Sequence, residues 1–430
     1  MKKINIGIIG FGTVGCGVVK ILQDRAALLS KRCGALVKIK YACDADIKSK
    51  RPVKLKGAEL TKDAYKIIND PEVDIIVELI GGIHPAKEFI IAAMKKGKHI
   101  VTANKALLAE CGEEIFKIAQ EQGVDIYFEA SAVAGVPIIK ALREAFAGDR
   151  IEAVLGIVNG TCNFILSRMT NDGVGFAEAL KDAQAKGYAE RNPSLDINGS
   201  DSAHKLVLLT LLSFGKFVKL NDIYVEGITD ISANDIAYAK DFGYVIKLLA
   251  IAKQSAGKLE VRVAPTLLPK DHLLAAVWGV YNAVLVMADL AGGVLFNGKG
   301  AGSFAAASAV VSDIVDVGRN INSGAVRRLP EYYKSLSQIN LRKISEIESR
   351  YYIRFSAIDR PGVLAKISGI LGKHNISIAS VAQKERKLSK VVPVVIMTHE
   401  AKESQLRVAL KEIDKLSAIK AKSVAIRVER

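Results

Sequence analysis

The sequence predicts a three-part α/β protein: an N-terminal doubly wound parallel sheet, an α+β middle region and a C-terminal βαββαβ unit. Three observations carry this. Short apolar runs alternate with helix-period stretches through the first 128 residues, as in successive βαβ units. After Pro137 amphipathic helices dominate, and strand-like runs return only later. Beyond a polar stretch at 320–349, about 80 residues repeat the order strand, helix, strand, strand, helix, strand, which is ferredoxin-like. A chain of 430 residues, half of them apolar, has room for several such cores.

In the first part, strands are expected at 4–9, 37–43, 73–80, 99–102 and 124–128. Helices are expected at 13–29, 86–96 and 106–122. The first strand runs into Gly10-Phe11-Gly12-Thr13-Val14-Gly15, a GxGxxG that opens a helix. Gly10 permits the tight turn, Gly12 lets backbone approach a pyrophosphate, and Gly15 lets helix and strand pack closely. The free N–H groups and positive dipole end of the helix then face the phosphates. This strand–turn–helix context makes residues 1–135 a Rossmann-type domain for NAD or NADP. Asp44, ending the second strand, suits ribose hydroxyls, whereas Lys48, Lys50 and Arg51 suit a 2′-phosphate, so the residues leave the choice open.

The middle region, 136–302, reads as a separate α+β domain. Its helices are expected at 138–146, 162–170, 176–186 and 200–214, its strands at 259–264 and 276–288. The run Gly298-Lys299-Gly300-Ala301-Gly302 precedes a small-residue helix at 303–320, expected to return to the first domain. Residues 320–349, with Pro330, read as a linker. The unit at 350–430 follows, and in its first helix Val363, Ile367, Ile370 and Leu371 form one apolar stripe.

Charge and cysteine content narrow the function. The net charge is +16, and residues 320–430 hold 22 Lys/Arg against 10 Asp/Glu. These basic residues alternate with acids and apolar positions, which indicates solvated faces or small anions and not nucleic acid. No apolar run is long enough to span a membrane. The five cysteines are scattered, without a CxxC pair, which argues against disulfides and zinc. A cytoplasmic location is expected.

Two segments carry chemistry. Val101-Thr102-Ala103-Asn104-Lys105 lies at the carboxyl end of a parallel strand, where ligands collect, and Lys105 there suits an anion or a carbonyl oxygen. Lys186-Gly187-Tyr188-Ala189-Glu190 is followed by Asp196, Gly199, Asp201 and Lys205. Asp201 and Lys205, four apart, share a helix face, although such a pair by itself reads most simply as a surface ion pair.

These segments, with Val77–Gly82 and Asn159-Gly160-Thr161-Cys162-Asn163-Phe164-Ile165-Leu166, resemble homoserine dehydrogenase motifs in the family's order, over residues 1 to about 320. Asp359-Arg360-Pro361-Gly362-Val363-Leu364 resembles the start of an ACT domain. The resemblance implies interconversion of L-aspartate 4-semialdehyde and L-homoserine with a nicotinamide cofactor, in threonine, methionine and isoleucine biosynthesis. It implies that Lys205 is the proton donor, that Lys105 sits beside cofactor and substrate, that Glu190 binds the substrate ammonium and that Asp201 orients substrate and lysine. Asp196 joins them at the substrate. Gly187 and Gly302 would touch the cofactor, together with Gly10–Gly15. The chemistry agrees: a developing alkoxide is stabilised and protonated by an ammonium group, and a bound amino acid calls for a buried carboxylate.

The resemblance further implies a sodium or other monovalent cation site at 129–136, with Glu129, Ala132, Ala134 and Val136 as carbonyl ligands. It implies that 136–302 carries substrate and catalysis and dimerises, giving a homodimer or homotetramer, and that L-threonine is an effector bound around Asp359, Pro361, Gly362 and Asn375. Three positions depart from common family choices: Cys162 for Thr, Asn192 for an acid, and Cys43 for an Arg that favours NADP. Two competing readings are an acylating semialdehyde dehydrogenase with Cys162 as nucleophile and a non-catalytic amino-acid sensor.

Overall fold

The structure, a computed structural model, describes residues 2–328, 339–383 and 391–429. Pro330 of the expected linker and Lys390 of the C-terminal unit lie outside them. The chain divides into two compact units: Met1–Val154 with Ala203–Ile223 and Asn282–Gln338, and Leu155–Ser202 with Tyr224–Tyr281 and Ile339–Arg430.

The first unit holds a six-stranded parallel sheet. Its strands are β1 (Lys3–Ile9), β2 (Leu36–Cys43), β3 (Glu59–Thr61), β4 (Ile75–Glu78), β5 (His99–Thr102) and β6 (Ile126–Tyr127). They lie in the order β3-β2-β1-β4-β5-β6. This is the doubly wound order that reverses beside β1, and it leaves a crevice at the carboxyl ends of β1 and β4. Burial on both faces explains the continuous apolar reading of β1 and β4: the side chains of Ile4, Ile6, Ile8, Ile75 and Val77 are fully buried.

The helix Ser303–Ser323 shares this core. Val310 and Ile314 sit in one apolar cluster with Ile4, Ile6, Val18 and Val101, and each such buried side chain contributes roughly 1.5–3 kcal/mol. The small residues on that helix have a reason. A Cβ on Gly17 would lie 2.8 Å from Ala307 Cβ, so the two helices approach closely only because both positions are small.

Local corrections concern element ends. The helix expected at 13–29 is two helices, Thr13–Asp24 and Ala26–Cys33, broken where Arg25 leaves helical geometry. The helix at 138–146 is one α-turn, Ile138–Lys140, followed by a wider turn at Ala141–Ala145. The strand at 276–288 begins only at Tyr281, since Leu273–Ala276 forms a 3₁₀ turn.

In the second unit the long hairpin Tyr244–Ser255 and Lys258–Pro269 is buried along most of its length. The C-terminal strands continue from it in the order Ile419–Val428, Tyr351–Ile358, Val391–Thr398, Ile378–Gln383. With the helices Val363–Lys373 and Glu403–Ile413 this is the expected βαββαβ unit. The stripe on its first helix faces the core: Ile367 and Leu371 are fully buried among Ile353, Phe355, Ile396 and Leu406, and Val363 and Ile370 pack on the edge. The linker region is not wholly irregular, because Asn340–Leu341 pairs in parallel with Lys258–Leu259.

Candidate active site

The glycine turn after β1 behaves as its spacing predicts. Gly10 has φ +108°, and a Cβ there would lie 2.6 Å from the Leu79 carbonyl carbon. A Cβ on Gly15 would lie 2.2 Å from Gly10 O, whereas one on Gly12 would meet nothing within 4 Å. The open side of Gly12 faces a pocket of about 400 Å³. Phe11, Thr13, Arg51, Ser303 and Phe304 line it. Gly302, at φ +121°, precedes the helix that delivers Ser303, whose Oγ donates to Thr13 O at 3.0 Å. The residues therefore fit a dinucleotide: an uncrowded glycine and a helix N-terminus at a pocket of ligand size.

Asp44 does something the sequence does not reveal. Its Oδ2 accepts from Phe11 N at 2.8 Å and its Oδ1 from Asp46 N at 2.9 Å. Arg51 lies 3.4 Å from the same carboxylate, donates from Nε to Phe11 O at 2.9 Å, and stacks 5.0 Å over the Phe11 ring. Asp44 thus braces the glycine turn and Arg51, and the guanidinium is what lines the pocket.

A second network organises the ends of β4 and β5. Glu78 is fully buried; its carboxylate accepts from Thr102 Oγ1 (2.6 Å), Ile80 N (2.9 Å) and Gly81 N (3.2 Å). Burial raises its pKa, opposed by these donors. Thr102 Oγ1 in turn accepts from Asn104 N, and Asn104 donates to Gly82 O and caps the helix Lys105–Glu121 at Leu107 N. Lys105, half-buried, is the first residue of that helix, so Glu78 and Asn104 set where its backbone starts.

The 129–136 loop is also tightly tied. The Glu129 carboxylate accepts from Ile139 N (2.9 Å) and Lys140 N (2.8 Å), and Asp313 accepts from Glu129 N (2.8 Å). Burial pushes Glu129 up to about 7. Burial, then the charge of Glu129, pushes Asp313 well above the usual carboxylate range. A Cβ on Gly135 would lie 2.2 Å from Lys299 O. Ala132, Ala134 and Val136 are buried, and the Val136 carbonyl accepts from Ile138 N.

In the second unit, Asn159 caps the helix Gly160–Asp172 through Cys162 N (2.8 Å) and gives its amide protons to Asp196 Oδ1 (2.7 Å) and Asp201 Oδ2 (2.9 Å). One side chain thus joins two of the expected substrate residues. Sequence reasoning quoted Asn159 only as part of a motif; its position just before a helix signals the cap but not the two carboxylates. Thr161 Oγ1 donates to Tyr188 O at 2.7 Å and fixes the Gly187–Glu190 turn, where Gly187 has φ +71°.

Asp201 (6 % exposed) and Lys205 (8 % exposed) both lie on the helix Ser200–Phe214 and are buried, so they are not a surface ion pair. Glu190 is a correction. It was expected to be buried, yet it is exposed, because 186–193 is an irregular turn on the surface, held through backbone carbonyls such as Glu190 O to Gln184 Nε2. Cys162 is fully buried and its Sγ lies 3.2 Å from Asp196 O, which gives no support to a nucleophilic cysteine. Asp359, Pro361, Gly362 (φ +83°) and Asn375 (φ +56°) lie at the turns flanking the helix Val363–Lys373, exposed except for the half-buried Asp359.

The comparisons agree with this geometry. The family profile for homoserine dehydrogenase matches residues 137–315, and that for the homoserine dehydrogenase NAD binding domain matches 10–129. The homoserine dehydrogenase of Neisseria gonorrhoeae is 43% identical over 100% of this chain and 99% of its own. The chain belongs to the homoserine dehydrogenase family. Its activity is NAD(P)-dependent interconversion of L-aspartate 4-semialdehyde and L-homoserine. An ACT domain profile matches residues 351–418. A crystal structure of a homoserine dehydrogenase from Thiobacillus denitrificans superposes with a TM-score of 0.93 at 42% identity, covering 100% of this chain and 99% of that one. A hyperthermophilic archaeal homoserine dehydrogenase in complex with NADPH gives a TM-score of 0.61 at 26% identity, over 73% of this chain and 97% of its own.

Proposed function

We propose that this homoserine dehydrogenase works through Lys205 as proton donor, with Asp201, Asp196 and Glu190 handling the amino-acid substrate and Lys105 beside the cofactor. The observation that carries the reading is the Asn159 amide bridging Asp196 and Asp201. It holds two carboxylates at the segment that precedes Lys205. The Gly10–Gly15 turn would hold a nicotinamide cofactor, which when bound would supply the hydride for the aldehyde carbon. Lys205 gives its proton to the aldehyde oxygen, so that no alkoxide is released. Asp201 orients that ammonium, and Glu190, exposed at its turn, meets the substrate ammonium as it enters. Glu190→Gln is expected to raise KM for homoserine more than it lowers kcat; an unchanged KM contradicts the role.

Arg51 in the pocket and the archaeal relative's NADPH support NADP as the preferred cofactor. Residues 1–135 with the returning helix form the cofactor domain, 136–302 the substrate and dimerisation domain, and 350–430 the regulatory domain, in a homodimer or homotetramer. A sodium or other monovalent cation suits the 129–136 loop: Glu129 and Asp313 bring buried carboxylates whose ionised forms a nearby cation favours. The free thiols fit a cytoplasmic location. L-threonine bound around Asp359–Gly362 and Asn375 is the proposed feedback inhibitor, since a helix N-terminus offers N–H groups to its carboxylate. Deleting residues from about 345 onward is expected to leave a threonine-insensitive enzyme, and inhibition equal to that of the full chain contradicts this site.

A further inference from the structure

One sealed carboxamide stands without a hydrogen-bond acceptor's normal company. Asn282, the second residue of the strand Tyr281–Ala288, is 1 % exposed, and its Oδ1 accepts no hydrogen bond among the described residues. Buried acceptors are nearly all satisfied, because an unpaired one gives up its water and receives nothing in return. Packing alone does not call for this residue: leucine fills a similar volume without a polar atom to desolvate.

The carboxamide lies against the Gly298–Gly302 run. A Cβ on Gly300 would lie 2.0 Å from Asn282 Cγ and 2.3 Å from its Oδ1, so Asn282 occupies the space that any other residue at 300 would need. The run is tied on both sides of this contact. Lys299 O accepts from Gly135 N at 3.0 Å, and Ser303 Oγ donates to Thr13 O, in the glycine turn, at 3.0 Å. Between the ties stand Gly300, which is buried, and Ala301 and Gly302, which are exposed. Glycines on both sides of Ala301 let the peptide planes rotate at little steric cost. Rotating one peptide reverses its N–H and its carbonyl while the tied ends stay in place. Ser303 and Phe304, the next two residues, line the pocket of about 400 Å³ at Gly12. The run is therefore a short strap between a buried acceptor and the cofactor pocket.

We propose that Asn282 is a positioning residue for the dinucleotide: with the cofactor bound, the peptide N–H of Gly300 or Ala301 turns inward onto Asn282 Oδ1 and sets Ser303 and Phe304 against the ligand. The proposal rests on the reading of Gly10–Gly15 and Gly302 as cofactor contacts. In the free protein the acceptor stays unpaired, and its hydrogen bond forms only in the bound state. The bond therefore adds to cofactor affinity and not to the stability of the free protein, because a ligand shifts a two-state segment by its differential interaction with the two states.

The test is hydrogen–deuterium exchange of the full-length protein, read on peptides covering 298–302, beside calorimetric titration with NADP and with NAD. In the wild type, saturating cofactor is expected to slow exchange at Gly300 or Ala301. Asn282→Leu is expected to abolish that slowing and to weaken cofactor binding about tenfold, the worth of one hydrogen bond. Without cofactor it is expected to melt no lower than the wild type. Gly300→Ala drives a methyl group into the carboxamide and is expected to lose stability and affinity together. In the double variant Asn282→Ala/Gly300→Ala that methyl group fills vacated room, so stability is expected to return while affinity stays low. Unchanged exchange in the cofactor-bound wild type, affinity in Asn282→Leu close to that of the wild type, or a double variant that recovers affinity overturns the proposal and leaves the cofactor site standing. Failure of the wild type to bind either NADP or NAD overturns it together with the cofactor reading.

Discussion

Replacing Asn159 by Asp changes two atoms' chemistry and almost nothing in shape. Asp is as good a helix cap as Asn, so the Cys162 N–H remains satisfied. The amide that donates to Asp196 and Asp201 at 2.7 and 2.9 Å, however, becomes an acceptor facing acceptors. Two unit charges about 3 Å apart repel by roughly 5 kcal/mol at an effective dielectric near 20. Asp201 is buried, so most of that acts there; Asp196 is half-buried and contributes less. A repulsion of that size favours retention of one shared proton, so at low pH the retained proton restores one donor, whereas at high pH three carboxylates repel. The ratio of kcat/KM for homoserine, Asn159→Asp over wild type, is therefore expected to fall about tenfold or more from pH 6 to pH 9. Asn159→Ala, which loses the same donor without a new acid, is expected to show a low but pH-independent ratio. A flat ratio for Asn159→Asp refutes the bridge as the organiser of these two carboxylates.

Arg51→Ala is expected to raise KM for NADP about tenfold while changing that for NAD less than threefold, measured as initial rates with each cofactor; equal effects would show that Arg51 only braces Phe11. Lys247 is buried over the Trp278 ring, 4.0 Å from its centre, and donates to Asn163 Oδ1 and the Val277 carbonyl. Burial pulls it down to about 7 from 10.5. Unfolding then takes up a proton between those values, so this lysine adds stability as pH rises from about 7 to 10.5, by at most roughly 1.4 kcal/mol per unit. The stability gap between wild type and Lys247→Met is expected to widen by roughly 2 kcal/mol from pH 7 to pH 9 in denaturant titrations; a constant gap contradicts a buried, partly discharged lysine.

Backbone-level features were the legible ones. The Gly10–Gly15 turn, the parallel strands and the βαββαβ unit follow from local chemistry and periodicity, and each depends on residues close in sequence. The hairpin Tyr244–Ser255 and Lys258–Pro269 was mostly missed: Val245 to Ala252 is buried on both faces, which erases the alternation that marks a strand. The break at Arg25 has no proline or glycine to announce it. Within the site, residue types were readable but their partners were not. Asp44, read as suiting ribose hydroxyls, also braces Phe11; Glu190 looked buried and is exposed; Asn159 looked like a cap and also joins two acids 37 and 42 residues away. Each depends on tertiary approach, which composition and spacing do not encode.

The most direct test of the chemistry is the initial rate of homoserine-dependent cofactor reduction by Lys205→Ala, with cofactor affinity measured separately by calorimetry. Loss of the proton-transfer group is expected to lower kcat by roughly 10²–10⁴-fold with cofactor affinity unchanged. Near-normal turnover by the folded variant would contradict Lys205 as the group that moves the proton.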